Sequence, residues 1–474
     1  MPLISYRFVV FAALTLVLYN AVPSRHRAPM LLLASYLFYA DASVIQLLLL
    51  FAITAATFVA GRVVATRHER LPFVVAIAAI LAPLLGFKAA PLLSTWLVSA
   101  SSTTNLGLAG SIPLGLSFYT LQAISYVTDV RRNGTAAERS LTQLALYLAF
   151  FPRLVAGPIE RAKQLLPQLH SLQRSNAGGV YAGLKLVLWG FFCKLVVADN
   201  IGSIVDQVLI APRLESGTTL ALTFSLYAFQ IYFDFLGYTN IAIGVARCFN
   251  VHLNINFDAP YLATSLRDFW RRWHISLSSW FRDYVYIPLG GQNTRGPARL
   301  GLILLVFLAS GLWHGAALHF AAWGAIHGGA YWMEERLRVR LGGPESPGCS
   351  VRNTARRWSQ RIATFGVVTL AWVFFRLSDL PTIELALARM TLVDRDIAYA
   401  SLNAVLMRRD SLWFILMTLT ALVLDSSPRF RAALLRIPES PRNIVWDLAC
   451  VNWLTVTLFL FGDLGVRDFT YQGF

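Results

Sequence analysis

Apolar residues run through this chain in long blocks separated by short polar connections, and many of the blocks approach bilayer length. A helix needs about 20 mostly apolar residues to cross roughly 30 Å of hydrocarbon. Candidate membrane segments are predicted at residues 8–22, 28–40, 43–64, 73–87, 114–130, 141–156, 180–197, 219–245, 300–313, 318–333, 362–375, 412–423 and 444–461. That amounts to about ten to thirteen segments, some of them shorter than a full span. Connections are short except at 336–360 and 376–409, which leaves little room for a separate soluble domain. There is no internal repeat and no low-complexity tail. The pattern predicts an all-α polytopic integral membrane protein, with residues 1–474 forming one domain. Residues 1–22 carry a basic Arg7 and an apolar run, but no small-residue cleavage site follows. They read as the first membrane helix rather than a signal peptide.

Composition strengthens this picture. Of 474 residues, 56% are hydrophobic and 14% charged, whereas a soluble domain carries about a quarter charged residues. The net charge of +16 does not point to nucleic acid, because the Lys and Arg residues sit mostly in connections between apolar runs. The membrane's positive-inside bias explains that placement. Arg267, Arg271, Arg272, Arg282, Arg295 and Arg299 face only Asp268 and Asp283 in one such region, and seven arginines face Glu345 alone between 336 and 361. Both regions are expected on the cytoplasmic side, so the two segments between them form a hairpin. Its first arm, about fifteen residues or 22 Å long, stops short of the far surface. The turn Leu312-Trp313-His314-Gly315 is therefore expected within the membrane, where irregular backbone is tolerated only in protein or beside a wet cavity. That reading puts a histidine at the end of a cavity.

Candidate chemistry concentrates in a few places. In 265–289, Arg267, Arg271, His274 and Ser278 fall on one face of a continuous helix, with Phe269, Trp273, Leu277 and Trp280 opposite. One reading is an interfacial anchor. The other is an entrance lined with cations, where arginines hold phosphates and His274 faces the cavity. His314, flanked by Trp313, reads either as a functional intramembrane group or as a neutral core histidine. A metal site built from His274, His314, His319 and His327 is not expected, since no i+4 pair occurs among the last three and no acid is adjacent. Asp234 shares a face with Gln230 and Tyr238 in an apolar run. It must find donors, either as a clasp between helices or as a polar group serving the site. Cys193, Cys248, Cys349 and Cys450 form no CxxC pair, and nothing in their settings singles out a thioester-forming nucleophile.

These residues resemble the membrane-bound O-acyltransferase (MBOAT) family, in its bacterial alginate O-acetyltransferase-like branch. The resemblance covers nearly the whole chain. It rests on Pro113-Leu114-Gly115-Leu116-Ser117-Phe118-Tyr119-Thr120-Leu121-Gln122, Phe151-Pro152-Arg153-Leu154-Val155-Ala156-Gly157-Pro158-Ile159 and Tyr232-Phe233-Asp234-Phe235. Above all it rests on Asp268-Phe269-Trp270-Arg271-Arg272-Trp273-His274-Ile275-Ser276-Leu277-Ser278, Leu312-Trp313-His314-Gly315 and Trp372-Val373-Phe374-Phe375-Arg376. Two places depart from the family pattern: Gly237-Tyr238-Thr239-Asn240 lacks a usual aspartate, and the aromatic C-terminal block reads Phe469-Thr470-Tyr471-Gln472-Gly473-Phe474.

The resemblance implies a ring of helices around a funnel with re-entrant helices, in a bacterial inner membrane. It makes His314 the essential histidine and His274 the second polar site position. Arg271, Arg272, Trp313 and Asp234 are then the expected substrate-binding residues. No bound cofactor is expected. Acetyl-CoA is the implied donor, and the acceptor is a hydroxyl of an exopolysaccharide or cell-wall glycan, reached directly or through a periplasmic SGNH-type partner. An alcohol is a poor nucleophile, whereas a thiol of pKa about 8.5 leaves readily, so the chemistry calls chiefly for a general base. His314 is the expected base, with His274 orienting the donor or stabilising the oxyanion; a covalent acyl-histidine or acyl-serine route stays open. D-alanyl transfer to teichoic acid, proton-coupled transport through His314 and Asp234, and a passive export scaffold are the alternatives, although no inverted repeat marks a transporter.

Overall fold

The computed structural model describes residues 1–67, 69–100, 112–340, 351–391, 411–436 and 441–463, and these residues form helices and connections without a strand. Glu345, Cys349 and the block at 469–474 lie outside the described residues. In chain order the helices are α1 (Tyr6–Ala21), α2 (Ser24–Ala40), α3 (Val44–Thr66), α4 (Arg70–Ala100), α5 (Leu116–Arg131), α6 (Leu141–Ala149), α7 (Phe151–Leu154), α8 (Ala162–His170), α9 (Ala177–Phe191), α10 (Asp199–Leu209), α11 (Gly217–Cys248), α12 (Leu266–Arg272), α13 (Ile275–Phe281), α14 (Gly296–His314), α15 (Leu318–Arg340), α16 (Val351–Arg376), α17 (Leu380–Thr391), α18 (Ser411–Ser426), α19 (Pro428–Leu435) and α20 (Pro441–Phe461). Serines start several of them: Ser5, Ser43, Ser140 and Ser216 each accept a hydrogen bond from the backbone N–H three residues on. This satisfies one of the orphan donors at a helix start.

Six helices among the described residues are long and apolar enough to cross a bilayer: Val44–Thr66, Arg70–Ala90, Ala177–Leu209, Gly217–Cys248, Gly296–His314 and Asn443–Phe461. Tyr6–Ala21 and Leu412–Ser426 are further, shorter apolar helices, in line with the expectation that some segments fall short of a full span, and other expected segments are enclosed by protein. A helix needs an all-round apolar surface only where lipid touches it. Helix α5, with Thr120, Gln122, Ser125 and Thr128 in its interior, is enclosed by protein along nearly its whole length. The expected segment 141–156 is instead two short helices, α6 and α7, divided at Phe150 just before Pro152. The expected long connections also differ. Helix α15 runs on to Arg340, α16 starts at Val351, and α17 occupies part of 376–409.

The core is built on α11, whose 32 residues extend for about 48 Å. Against it lies a continuous rod of α9, a π-helical turn (Phe192–Ala198) and α10. The two meet backbone to backbone. A Cβ at Gly190 would lie 2.7 Å from the Gly237 carbonyl oxygen, so only glycine permits this approach. Gly190→Val is therefore expected to lower stability by at least the ~1–3 kcal/mol of overpacking. Thermal unfolding in detergent checks this; a melting temperature equal to the parent's would show that the crossing tolerates a side chain.

At the π-helical turn, the Lys194 ammonium lies 2.7 Å from Asp199 Oδ1 and 2.7 Å from Asp234 Oδ1, with all three residues buried. Asp234 thus clasps α11 to the neighbouring rod.

Helices α14 and α15 form the expected hairpin. Arg299, near the start of α14, pairs with Glu335 on α15 at 2.6 Å, so both ends return to one side. The first arm is longer than expected. It has 19 residues, or about 28 Å, because the helix begins at Gly296 and includes the paired Arg299. The turn itself is short. Gly311 packs against the Phe320 backbone, where a Cβ would overlap the Phe320 carbonyl, and this lets the two arms close tightly.

Candidate active site

His314 is the last residue of α14 and is 4% exposed. Its imidazole is enclosed edge to face by aromatic rings: Trp313 at 4.9 Å, Trp323 at 5.4 Å and Phe375 at 5.2 Å between centroids. The His314 carbonyl oxygen accepts a hydrogen bond from Lys88 Nζ on α4, at 2.9 Å.

His274 does not lie on the single amphipathic helix that periodicity predicts. The segment breaks into α12 and α13, and His274 sits at the break with φ 43° and ψ 55°. For a residue other than glycine this left-handed conformation carries strain. Asn256 compensates. Its Oδ1 accepts the N–H of Ser276 at 3.2 Å and the Ser276 hydroxyl at 2.9 Å, and its backbone oxygen accepts the N–H of Ile275 at 2.9 Å. The same Oδ1 lies 3.1 Å from His274 Nδ1. An oxygen that is already an acceptor assigns the proton to Nδ1, so Nε2 of the neutral ring carries its lone pair. The ring packs on Phe235 at 4.7 Å, and on Phe118 and Trp313 at 6.3 Å each.

Trp313 therefore touches both imidazoles and joins them into one aromatic cluster with Phe118. Substituting Asn256 by leucine removes the acceptor shared by His274 and Ser276. Leaving buried donors unmet costs about 1–3 kcal/mol, so a lower melting temperature is expected together with a fall in turnover. An unchanged melting temperature and unchanged turnover would show that the break holds without the amide.

A cavity of about 530 Å³ opens beside this cluster. Arg267, Arg271, Arg282 and Arg299 rim it, and Leu277, Phe281, Ile303, Val306 and Phe307 line its apolar depth together with Ser278 and Ser310. Its lining reaches Ser310, one helical turn before His314, and Ser278, one turn past His274. It includes neither histidine. The expectation that His314 faces a wet passage is not seen in this structure: the neighbouring cavity stops at Ser310 and Ser278, and aromatic rings pack around the imidazole. Ring quadrupoles and edge contacts make such clusters compact.

The remaining expected residues divide. Arg271 lines the cavity. Arg272 turns away from it to Asp268 at 2.9 Å and towards Asp258 at 3.9 Å. Asp234 belongs to the Lys194 clasp, while the next residue, Phe235, is the one that reaches His274. Sequence reasoning missed Lys88, Asn256, Phe118, Phe235 and Phe375 as parts of the site. Lys88 left a signal, a lone cation at the end of an apolar run; Asn256 in an irregular connection left none. Among the described residues, no three His, Cys, Asp or Glu side chains are grouped to hold a metal ion.

Comparison with known proteins identifies the family of the chain. The family model described as MBOAT, membrane-bound O-acyltransferase family, matches residues 31–340, a span that contains both histidines and the cavity. The chain is 35% identical over 381 residues to the "Probable alginate O-acetylase AlgI" of Pseudomonas aeruginosa, covering 78% of this chain and 71% of that protein. It is 34% identical over 298 residues to the peptidoglycan O-acetyltransferase of Helicobacter pylori, covering 57% and 55%. It is 30% identical over 232 residues to the teichoic acid D-alanyltransferase of Streptococcus thermophilus, covering 45% and 55%.

Proposed function

Because the chain belongs to the membrane-bound O-acyltransferase family, and is thus a multi-pass membrane O-acyltransferase, we propose that it moves an acetyl group from acetyl-CoA to a hydroxyl of an extracytoplasmic polysaccharide or cell-wall glycan. Family membership sets aside the transport and scaffold readings. The observation that carries the proposal is the arginine-rimmed cavity running from a basic surface to within one turn of His314. Guanidinium groups suit the phosphates of CoA. An apolar passage suits a pantetheine arm and an acetyl group, and the volume is in the range of small-molecule sites. The basic mouth is cytoplasmic in this reading, by the positive-inside bias, in a bacterial inner membrane.

In the reaction, the acceptor oxygen attacks the thioester carbonyl carbon while His314 takes the hydroxyl proton. The C–S bond then breaks, and the thiolate recovers a proton from the imidazolium. The products are an O-acetyl ester and free CoA thiol, so atoms and charge balance. A neutral His274 with Nδ1–H committed to Asn256 presents an acceptor at Nε2. That suits orientation of the donor better than donation to an oxyanion. Trp313 lies against both imidazoles, so the last stretch from Ser310 to His314 opens by movement of an aromatic ring. Arg272 and Asp234 hold local structure, whereas Arg271 contacts the donor. A periplasmic SGNH-type partner that completes the transfer to polysaccharide fits the relatives named for alginate and peptidoglycan acetylation.

D-alanyl transfer is the second reading, favoured by the teichoic acid relative. That match covers 45% of the chain against 78% for the alginate relative, and acetyl transfer is preferred on that ground. The test is thiol release from acetyl-CoA by purified protein. Arg271→Ala is expected to raise KM for acetyl-CoA about tenfold, equivalent to about 1.4 kcal/mol, with kcat little changed. Absence of thiol release by the parent protein, in the presence of its membrane and acceptor fraction, would overturn the acetyl assignment.

A further inference from the structure

The site holds a buried lysine that the reaction does not consume. Lys88 lies on α4, in the span Arg70–Ala90, after an otherwise apolar run. Its side chain is buried, and its ammonium donates to the carbonyl oxygen of His314, 226 residues away in sequence, at 2.9 Å. An ammonium within a span is costly and marks a functional group by default.

The geometry at the end of α14 explains what the contact does. The last four carbonyls of a helix lack intrahelical donors. Many helices meet that need by wrapping the next residue into a left-handed cap. Here the next residue, Gly315, is extended (φ −164°, ψ 141°), and its N–H bonds back to Gly311. The His314 carbonyl is left for an outside donor, and a lysine at a helix C-terminus also matches the helix dipole. The hairpin grips this helix end from one side through Gly311 and Phe320. Lys88 holds it from another helix. Fixing the peptide plane of residue 314 fixes its Cα–Cβ direction, and with it the imidazole.

We propose that Lys88 is a positioning residue that sets the His314 imidazole through the His314 backbone carbonyl. The proposal rests on the reading of His314 as general base, and its test separates the two. In nanodiscs, with acetyl-CoA as donor, Lys88→Met is expected to lower kcat at least about tenfold. KM should stay within about twofold, and the melting temperature should stay near the parent's, since a displacement of about 1 Å at a reacting group can cost a hundredfold. Lys88→Arg, which keeps a cationic donor, is expected to restore kcat to within about threefold of the parent. Normal kcat in Lys88→Met, a loss confined to KM, or no rescue by a folded Lys88→Arg would overturn the proposal. If Lys88→Met does not accumulate, Lys88→Leu, which also lacks a donor, carries the kinetic comparison. Electron cryomicroscopy gives an activity-independent reading on a folded variant that removes the donor, Lys88→Met or Lys88→Leu. The His314 ring is expected to shift or blur, and an unmoved ring would sink the idea. Should the parent protein show no thiol release, the functional reading fails, and the ring position still decides the role of Lys88.

Discussion

His314→Ala should abolish nearly all acyl transfer while leaving the donor bound. A positioned general base contributes about 10²- to 10⁴-fold, and removal of the imidazole is expected to cost that much in kcat. Affinity for acetyl-CoA should change little, because the arginines proposed to meet the phosphates line a cavity whose lining does not include His314. His314→Gln, which keeps polarity and much of the volume, should be as slow as the alanine variant, which separates proton transfer from packing. Steady-state thiol release together with calorimetric binding of acetyl-CoA gives both quantities. Full turnover in either variant would remove the base assignment; equal loss of binding and turnover would make His314 a structural member of the aromatic cluster.

The second large effect concerns folding. Lys194→Met leaves Asp199 and Asp234 facing each other in the protein interior without the ammonium that lies 2.7 Å from each. Breaking a buried ion pair by removing one partner costs about 3–5 kcal/mol, whereas replacing the whole group by apolar residues is often neutral. The single variant is expected to melt well below the parent or to fail to accumulate. The triple variant Lys194→Met, Asp199→Leu, Asp234→Leu should recover most of the loss. A Lys194→Met protein as stable as the parent would show that the clasp contributes nothing.

Some of this was legible in the sequence for identifiable reasons. Apolar run length is a physical requirement of the bilayer, so the long spans were readable, and the pairing of Arg299 with Glu335 agrees with the hairpin expected from arginine placement. The blocks around His274 and His314 do meet in space, through Trp313. Periodicity failed where tertiary hydrogen bonds override it. Nothing local in 265–289 signals that Asn256, some twenty residues earlier, will hold a break at His274. Periodicity also placed Arg271, His274 and Ser278 on one face of an unbroken helix, which the break removes. Interior helices such as α5 are shielded by protein and need not look like spans, so apolar run length alone does not separate them from lipid-facing helices. Lys88 stands just past the end of the apolar run 73–87, yet a single cation inside a span carries more information than the residues around it.

The most direct measurement is a structure of the protein with a non-hydrolysable thioether analogue of acetyl-CoA. Phosphates are expected among Arg267, Arg271 and Arg282. An aromatic ring is expected to be displaced near Trp313, with the acyl carbon at about 3–3.5 Å from a point that His314 can reach through a hydroxyl. An analogue bound away from this cavity, or bound within it while His314 stays walled off behind unmoved aromatic rings, would rule out His314 as the base.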